Sequence, residues 1–292
     1  MTKTFIVPNL RTGYVDICKD VVLLGKPTHP RGMLTHELTD VTIQIIDPTD
    51  ALPLGVNRKL NKAIAAAEAL QLIAGHSVPE LLPKISANFE QFMEDFSDGK
   101  RFWGAYGDRI LVPDPRSSGS TIHQADLVVE RLKVDPDSRQ ALIVLWRPEL
   151  DLLQSGHADY PCTVMLMFLI RNGKLQLHVT MRSNDVWWGL AYDAFQFTQL
   201  QLTVAHALGV PAGPYFHHAI SLHAYERDFE KIGMLHYPTS ATPPDLPRGV
   251  RWADATQTPY HLLATDAKTI ITQRGASGGQ HPWWNDSVGR FV

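Results

Sequence analysis

Residues 161–193, PCTVMLMFLIRNGKLQLHVTMRSNDVWWGLAYD, hold two apolar runs joined by Asn172-Gly173, and the rest of the chain is read outward from them. Val164 to Ile170 and Lys174 to Met181 flank a dipeptide whose residues tolerate the positive φ of a tight turn, which predicts a β-hairpin. A polar stretch, Arg182 to Asp185, follows. Tyr192 to Leu208 is then apolar and amphipathic and stops at Gly209, the pattern of a buried helix. Strands that must bury a face beside a helix that must bury a stripe imply an α/β (α+β) architecture.

Upstream, FIVP (5–8), VVLLG (21–25) and LTDVTIQII (38–46) read as short strands, the last ending at Asp47-Pro48, with a polar loop from Lys26 to Gly32 between them. The run Asn57 to Ala74, NRKLNKAIAAAEALQLIA, reads as a helix that Gly75 stops. Further helices are expected around Asn88 to Phe96 and Gln124 to Leu132, a Gly-rich turn at Trp103 to Gly107, and a strand over Ala141 to Trp146. From Pro247 onward the pattern is irregular, with one strand at Ala267 to Ile271. There is no internal repeat and no composition break, so residues 1–292 are expected to form a single domain.

Composition narrows the function. The 292 residues are 44% hydrophobic, enough for a substantial core. A net charge of −3, from 27 basic and 30 acidic side chains, creates no field that would gather nucleic acid or an anionic membrane. No apolar stretch reaches the ~20 residues that span a bilayer, and the N-terminal segment lacks a signal-peptide block, so a cytoplasmic protein is expected. Cys18 and Cys162 are too few for a disulfide framework. The 13 histidines show no metal-ligand spacing, and neither a dinucleotide fingerprint nor a phosphate loop is present, so metal, dinucleotide and nucleoside triphosphate chemistry are not expected.

Three places carry chemistry. Cys162, after Pro161 and a polar loop, sits where a strand begins; the residues alone fit either a nucleophile or a small buried hydrophobe. Glu68 interrupts the apolar helix AIAAAEALQLIA and is either turned to solvent or an acid or base. Arg182-Ser183-Asn184-Asp185 supplies a bidentate cation, a hydroxyl and a carboxylate suited to holding a phosphate and a polar ring. Arg31 and Arg139 are further candidate phosphate contacts.

Order and spacing of several motifs resemble the thymidylate synthase family, in the branch that includes the pyrimidine nucleotide hydroxymethylases. They are Asp135-Pro-Asp-Ser-Arg139, Pro161-Cys162, Arg182-Ser-Asn-Asp185 with Gly189-Leu-Ala-Tyr-Asp193, and His223-Ala-Tyr225. Upstream, Glu68 with Gly75, Tyr106-Gly107 and Arg31-Gly32 fit the same pattern. The resemblance implies one domain with a large, mostly antiparallel or mixed sheet, flanking helices and a homodimer formed through the sheet face. It further implies that Cys162 adds to carbon 6 of a pyrimidine ring, which then attacks the one-carbon unit of 5,10-methylenetetrahydrofolate at carbon 5. Glu68 orders water and moves protons, and Tyr106 assists loss of the carbon 5 proton. Arg31, Arg182 and Ser183 hold the 5′-phosphate, joined by Arg139 from the partner subunit. His223 and Tyr225 touch the sugar. Asp185, Trp188, Gly189 and Tyr192 face the folate.

Departures from the family pattern bear on the substrate. Asp193 stands where enzymes acting on dUMP carry Asn. A carboxylate accepts from the 4-amino group of cytosine, and from N3 once the adduct is protonated there, but cannot donate to the 4-carbonyl of uracil. Thr163 replaces a His, Met181 a Gln, and Gln140 an Arg of the intersubunit clamp, and the loop before Cys162 is longer. The implied activity is dCMP hydroxymethylation. Its alternatives are methyl transfer to dCMP with release of dihydrofolate, a CMP substrate, thymidylate synthesis from dUMP, and a non-catalytic nucleotide or RNA binder.

Overall fold

The computed structural model describes residues 3–76, 81–96, 99–153, 156–157, 159–239 and 260–272. β1 (Lys3–Val7) runs into α1 (Leu10–Leu24), where the Asn9 side chain caps the helix by accepting the N–H of Thr12 at 2.9 Å. Leu10, Tyr14, Ile17, Cys18 and Val21 form its buried stripe. VVLLG is therefore not a strand but the end of this helix. So short an apolar run has no period of its own, and the stripe that begins at Leu10 prevails.

β2 (Lys26–Thr28) and β3 (Thr35–Ile45) pair antiparallel around a 3-10 turn at Pro30–Gly32, and β3 contains most of LTDVTIQII. α2 (Lys62–Ala74) starts later than Asn57 because Asn61 takes the cap, its side chain accepting from Ala63 and Ile64; it ends at left-handed Gly75. α3 (Leu81–Ile85) and a 3-10 turn (Ala87–Phe92) precede β4 (Met93–Phe96) and β5 (Gly99–Phe102). The helix expected over Asn88 to Phe96 is thus divided between a turn and a strand, because Met93 and Glu94 pair with Phe102 and Arg101.

α4 (Tyr106–Arg109) is one turn growing from the Gly-rich segment. β6 (Leu111–Pro113) pairs with β7 (Thr121–His123), α5 (Gln124–Val134) falls where the sequence places it, and β8 (Leu142–Val144) and α6 (Pro148–Asp151) follow. β9 (Thr163–Arg171) and β10 (Lys174–Met181) form the hairpin around Asn172-Gly173. β11 (Asn184–Asp185) leads to α7 (Leu190–Leu208). β12 (Ala212–Tyr225) has no clear strand signal in its sequence, being interrupted by Gly213, Pro214 and three histidines, yet it is the longest strand. It is followed by α8 (Glu226–Gly233) and α9 (Tyr260–Thr272). A strand at Ala267 to Ile271 is not found: Tyr260, Leu263, Ala264, Ala267 and Ile271 recur at helical spacing and are buried. Of the tail expected to be irregular, residues 247–259 and 273–292 lie outside the described residues.

The main sheet has the order β1-β3-β12-β10-β9-β8, with β2 also on β3 and β11 also on β12. It is mixed: β1 with β3, β10 with β12 and β11 with β12 are parallel, and the remaining pairs antiparallel. Leu175, Leu177, Val179 and Met181 of β10, with Tyr215, His217 and Ala219 of β12, point to one fully buried side covered by α1 and α7. α2 packs on α7, and α9 on α2. The other side keeps Ile6, Ile46 and Ile220 exposed, with His178 stacked on Phe216 at 4.2 Å. The hairpin register sets Thr163 against Met181, which brings Cys162 beside Arg182.

Candidate active site

A cavity of about 260 Å³ opens between α2, α4, the start of α7 and the segment ahead of β9. Glu68, Tyr106, Cys162 and Asp193, four residues spread over more than 120 positions of sequence, all line it. Phe89, Phe92 and Phe102 close one wall.

α2 carries Glu68 because its alanines pack closely enough to bury the helix on α7 and α9. Glu68 is half-buried, and its Oε2 is buried without a hydrogen-bond partner. Burial pushes its carboxyl up to about 8, with the charges of Asp193 and Asp159 adding to the effect. The group therefore holds its proton near neutrality and can donate or accept in the cavity.

Tyr106 begins α4, and its ring stacks on Phe197 of α7. Its hydroxyl oxygen accepts the Thr163 N–H at 3.2 Å and the Thr163 hydroxyl at 2.9 Å. With both lone pairs taken, its own proton is the part left to donate. Burial raises its pKa well above that of an ordinary tyrosine, so that proton is retained.

Burial also pushes the Cys162 thiol up, to about 11; Asp193 and Asp159 add to this, and the positive charges of Arg182 and Arg31 oppose it. Arg182 grips the approach to the thiol: its Nε donates to the Pro161 carbonyl at 3.0 Å, its Nη2 to the Tyr160 carbonyl at 3.4 Å, and its plane lies over Trp146. Ser183 follows it, half-buried.

Asp193 lies in the first turn of α7. Its Oδ2 accepts from Asn184 Nδ2 at 2.8 Å and its Oδ1 from Gln196 Nε2 at 3.1 Å. Burial raises its carboxyl to about 7, while these two N–H groups oppose the shift.

A second group meets where β11 and β12 end. The Arg31 guanidinium, on a left-handed residue, donates to the Tyr225 hydroxyl at 3.5 Å, and the rings of His223 and Tyr225 are 5.3 Å apart. His223 is buried with its Nδ1 unpartnered. Asp185 pairs with His223 in the β11–β12 register, and its Oδ1 caps the next turn by accepting from Trp187 and Trp188. Trp188 is 52% exposed and donates to Asp228, while the Tyr192 hydroxyl accepts the Asn61 N–H at 3.0 Å. None of these residues lines the cavity. Arg139 is exposed in the turn after α5 and does not line it either.

Asp159 and Gln196 are among the cavity residues that escape the sequence reading. Asp159 accepts the Gly104 N–H at 3.1 Å, and a Cβ at position 104 would come within 2.8 Å of its carboxylate, so glycine is what admits it. Gln196 lies one helical turn beyond Asp193, a spacing that signals a neighbour on the same face. Among the described residues no group of three His, Cys, Asp or Glu is placed to hold a metal ion, and no helix is long and apolar enough to cross a membrane.

The profile of the family described as thymidylate synthase matches residues 12–248. A deoxyuridylate hydroxymethyltransferase of Bacillus phage SP01 is 34% identical over 221 residues, which are 74% of this chain and 57% of the phage protein. Another of that name, from Pseudomonas phage M6, is 30% identical over 234 residues, 77% of this chain and 62% of its own. The chain thus spans about three-fifths of the length of these two relatives. A thymidylate synthase of Bacillus mojavensis is 29% identical over 205 residues, covering 69% of this chain and 71% of its own. The solved structure of thermostable thymidylate synthase A from Bacillus subtilis shares the fold, with a TM-score of 0.60 at 23% identity over 83% of this chain and 90% of that one. With the profile matched from the first helix to beyond the last strand of the sheet, the chain belongs to the thymidylate synthase family.

Proposed function

We propose that this chain, working as one catalytic domain, hydroxymethylates a cytosine nucleotide. It converts dCMP, 5,10-methylenetetrahydrofolate and water to 5-hydroxymethyl-dCMP and tetrahydrofolate. The observation that carries the reading is Asp193, a carboxylate on the cavity wall whose two oxygens each receive an N–H and which lines the same cavity as Cys162. An ionised Asp193 accepts from the 4-amino group, and its attraction for N3 grows once thiol addition has made that nitrogen basic and protonated. It therefore favours the cytosine transition state.

In this reading the Cys162 thiolate forms a bond to carbon 6, and the ring electrons move to carbon 5. The folate supplies the one-carbon unit that carbon 5 receives. Tyr106 and Glu68 then manage loss of the carbon 5 proton as the bond from the one-carbon unit to the folate nitrogen breaks and tetrahydrofolate leaves. Glu68 orients the water that adds to the resulting methylene as the new hydroxyl, and the carbon 6–sulfur bond breaks to free Cys162. Arg31, Arg182 and Ser183 take the phosphate. His223, with its unpartnered buried Nδ1, and Tyr225 take the sugar. Asp185, Trp188, Gly189 and Tyr192 serve the folate side, where the Trp187 and Tyr192 rings flank the Arg58 guanidinium. The exposed isoleucines of the open sheet face support a homodimer in which Arg139 reaches the partner's phosphate. The near-neutral charge supports free nucleotides, not nucleic acid, as substrates, and the two free cysteines fit a reducing, cytoplasmic site of action.

A second reading, a uracil nucleotide, is favoured by the names of the two phage relatives and by the raised pKa of Asp193. A protonated carboxyl accepts from N3–H and donates to the 4-carbonyl, as an amide does. Turnover of dCMP, CMP and dUMP with methylenetetrahydrofolate, with products weighed by mass spectrometry, separates the two. A 5-hydroxymethylcytosine product is expected; preferential turnover of dUMP refutes the cytosine reading, and dihydrofolate absorbance during turnover refutes water capture.

A further inference from the structure

We propose that Asn184, His217 and Tyr215 are positioning residues that hold Asp193 as an acceptor-only carboxylate and so set the choice of base; this rests on the cytosine reading above. The three form one directed chain. The Tyr215 hydroxyl donates to His217 Nδ1 at 2.8 Å, His217 Nε2–H donates to Asn184 Oδ1 at 3.1 Å, and Asn184 Nδ2 donates to Asp193 Oδ2 at 2.8 Å. Tyr215 and His217 lie two apart on the buried side of β12, against Leu177 and Val179 of β10, and Asn184 is on β11. All three are at most 2% exposed, so water does not compete for these bonds.

The directions follow from chemistry. Burial drives His217 down to about 3, so the ring is neutral and has one donor and one acceptor nitrogen. Tyr215 keeps its proton, because burial raises its pKa well above the ordinary value. Its O–H therefore settles on Nδ1 and leaves the imidazole proton on Nε2, facing Asn184. That N–H pins the amide carbonyl of Asn184 and leaves its NH₂ pointing at Asp193. A free amide turns over easily; this one is held from behind. Gly189 makes the approach possible, since a Cβ there would come within 2.8 Å of Asn184 Nδ2 and 3.0 Å of Asp193 Oδ2.

The polarity matters because a protonated carboxyl at 193 pairs with either base, whereas an ionised one discriminates. Among the described residues the ionisable groups facing Asp193 are Glu68 on α2, Tyr106 on α4, Cys162 before β9, Asp185 on β11 and Tyr215 on β12, all acids whose charge would oppose its own. Donors from Asn184 and Gln196 are what favour the anion. Gln196 is on the same helix as Asp193, but Asn184 gives an N–H only while His217 holds its carbonyl.

Two readouts test this. The first is the ¹³Cγ titration midpoint of Asp193, assigned by its loss in Asp193→Asn; the second is the ratio of kcat/KM for dCMP over dUMP between pH 6 and 8.5. His217→Leu is expected to raise the midpoint by about one pH unit and lower the ratio about tenfold at neutral pH. His217→Gln, whose amide can donate at the same place, restores both to within about threefold. Should His217→Leu fail to fold, Tyr215→Phe, which removes one oxygen, is expected to move both readouts in the same direction by a smaller amount. An unchanged midpoint in a folded His217→Leu, or in Tyr215→Phe if the former does not fold, overturns the proposal. A wild-type enzyme that prefers dUMP throughout overturns the cytosine reading instead, while the midpoint still reports on the relay.

Discussion

The hydroxyl of Tyr106 accepts two hydrogen bonds from Thr163, one from its backbone at 3.2 Å and one from its side chain at 2.9 Å, so the residue after the nucleophile is tied to the tyrosine opposite. Thr163 thereby fills with a hydroxyl a position where the family pattern has an imidazole. Tyr106→Phe removes the one oxygen that accepts both bonds, together with the hydroxyl proton. We expect kcat to fall about 100-fold, the low end for a lost proton-transfer group, with KM for the nucleotide little changed. Release of tritium from carbon 5 of the nucleotide is the measurement.

Only one of the two thiols is open to reagents. Cys18 is fully buried and its thiol is pushed up to about 12, whereas Cys162 lines the cavity. Iodoacetamide should label Cys162 alone in the folded protein, at a rate that climbs with pH toward 11. Arg182→Gln removes the stronger of the two opposing cations, so the thiol pKa rises and labelling at pH 9 should slow about three- to tenfold. Peptide mass mapping checks both statements.

Glu68 lowers stability at alkaline pH. Its folded pKa of about 8 lies above the ordinary glutamate value of 4.5, so the folded protein holds a proton that the unfolded chain releases between those values. The resulting penalty is absent below the lower value, grows as pH rises and is constant above the upper one. Glu68→Gln should therefore abolish turnover yet stabilise the protein by about 2–4 kcal/mol at pH 9, with little effect at pH 4.5. Urea unfolding at the two pH values provides the comparison.

A buried ion pair supports the segment that carries Tyr106. Both terminal nitrogens of Arg109 donate to Asp151 at 2.7 Å, and Arg109 also donates to the Trp103 carbonyl. With side-chain exposures of 5% and 0%, removing one partner strands the other charge. Asp151→Ala should cost about 3–5 kcal/mol, read as a lowered urea midpoint. Replacing both residues by apolar ones of similar volume should cost less.

What the sequence alone determined is local. Asn172-Gly173 between two apolar runs specifies the β9–β10 hairpin, because only residues that accept a positive φ close so tight a turn. From that hairpin the adjacency of Cys162 and Arg182 follows. The periods of α5 and α7 and the stop at Gly209 are equally local, and the motif spacing identified the family pattern. VVLLG, the turn before β4, and Ala267 to Ile271 are short stretches whose state depends on what they pack against, and local pattern misreads all three.

Tertiary structure alone decided β12 and the polarity of Asp193. A strand containing Gly, Pro and three histidines exists because β3 and β10 offer it two ladders, a gain invisible along one strand. The direction of the Asn184 amide is set by a histidine 33 positions away in sequence, and two of the cavity acids, Glu68 and Asp193, are brought together by the packing of α2 on α7. Hydrogen-bond direction and burial belong to neighbours in space, and sequence order does not encode which residues those will be.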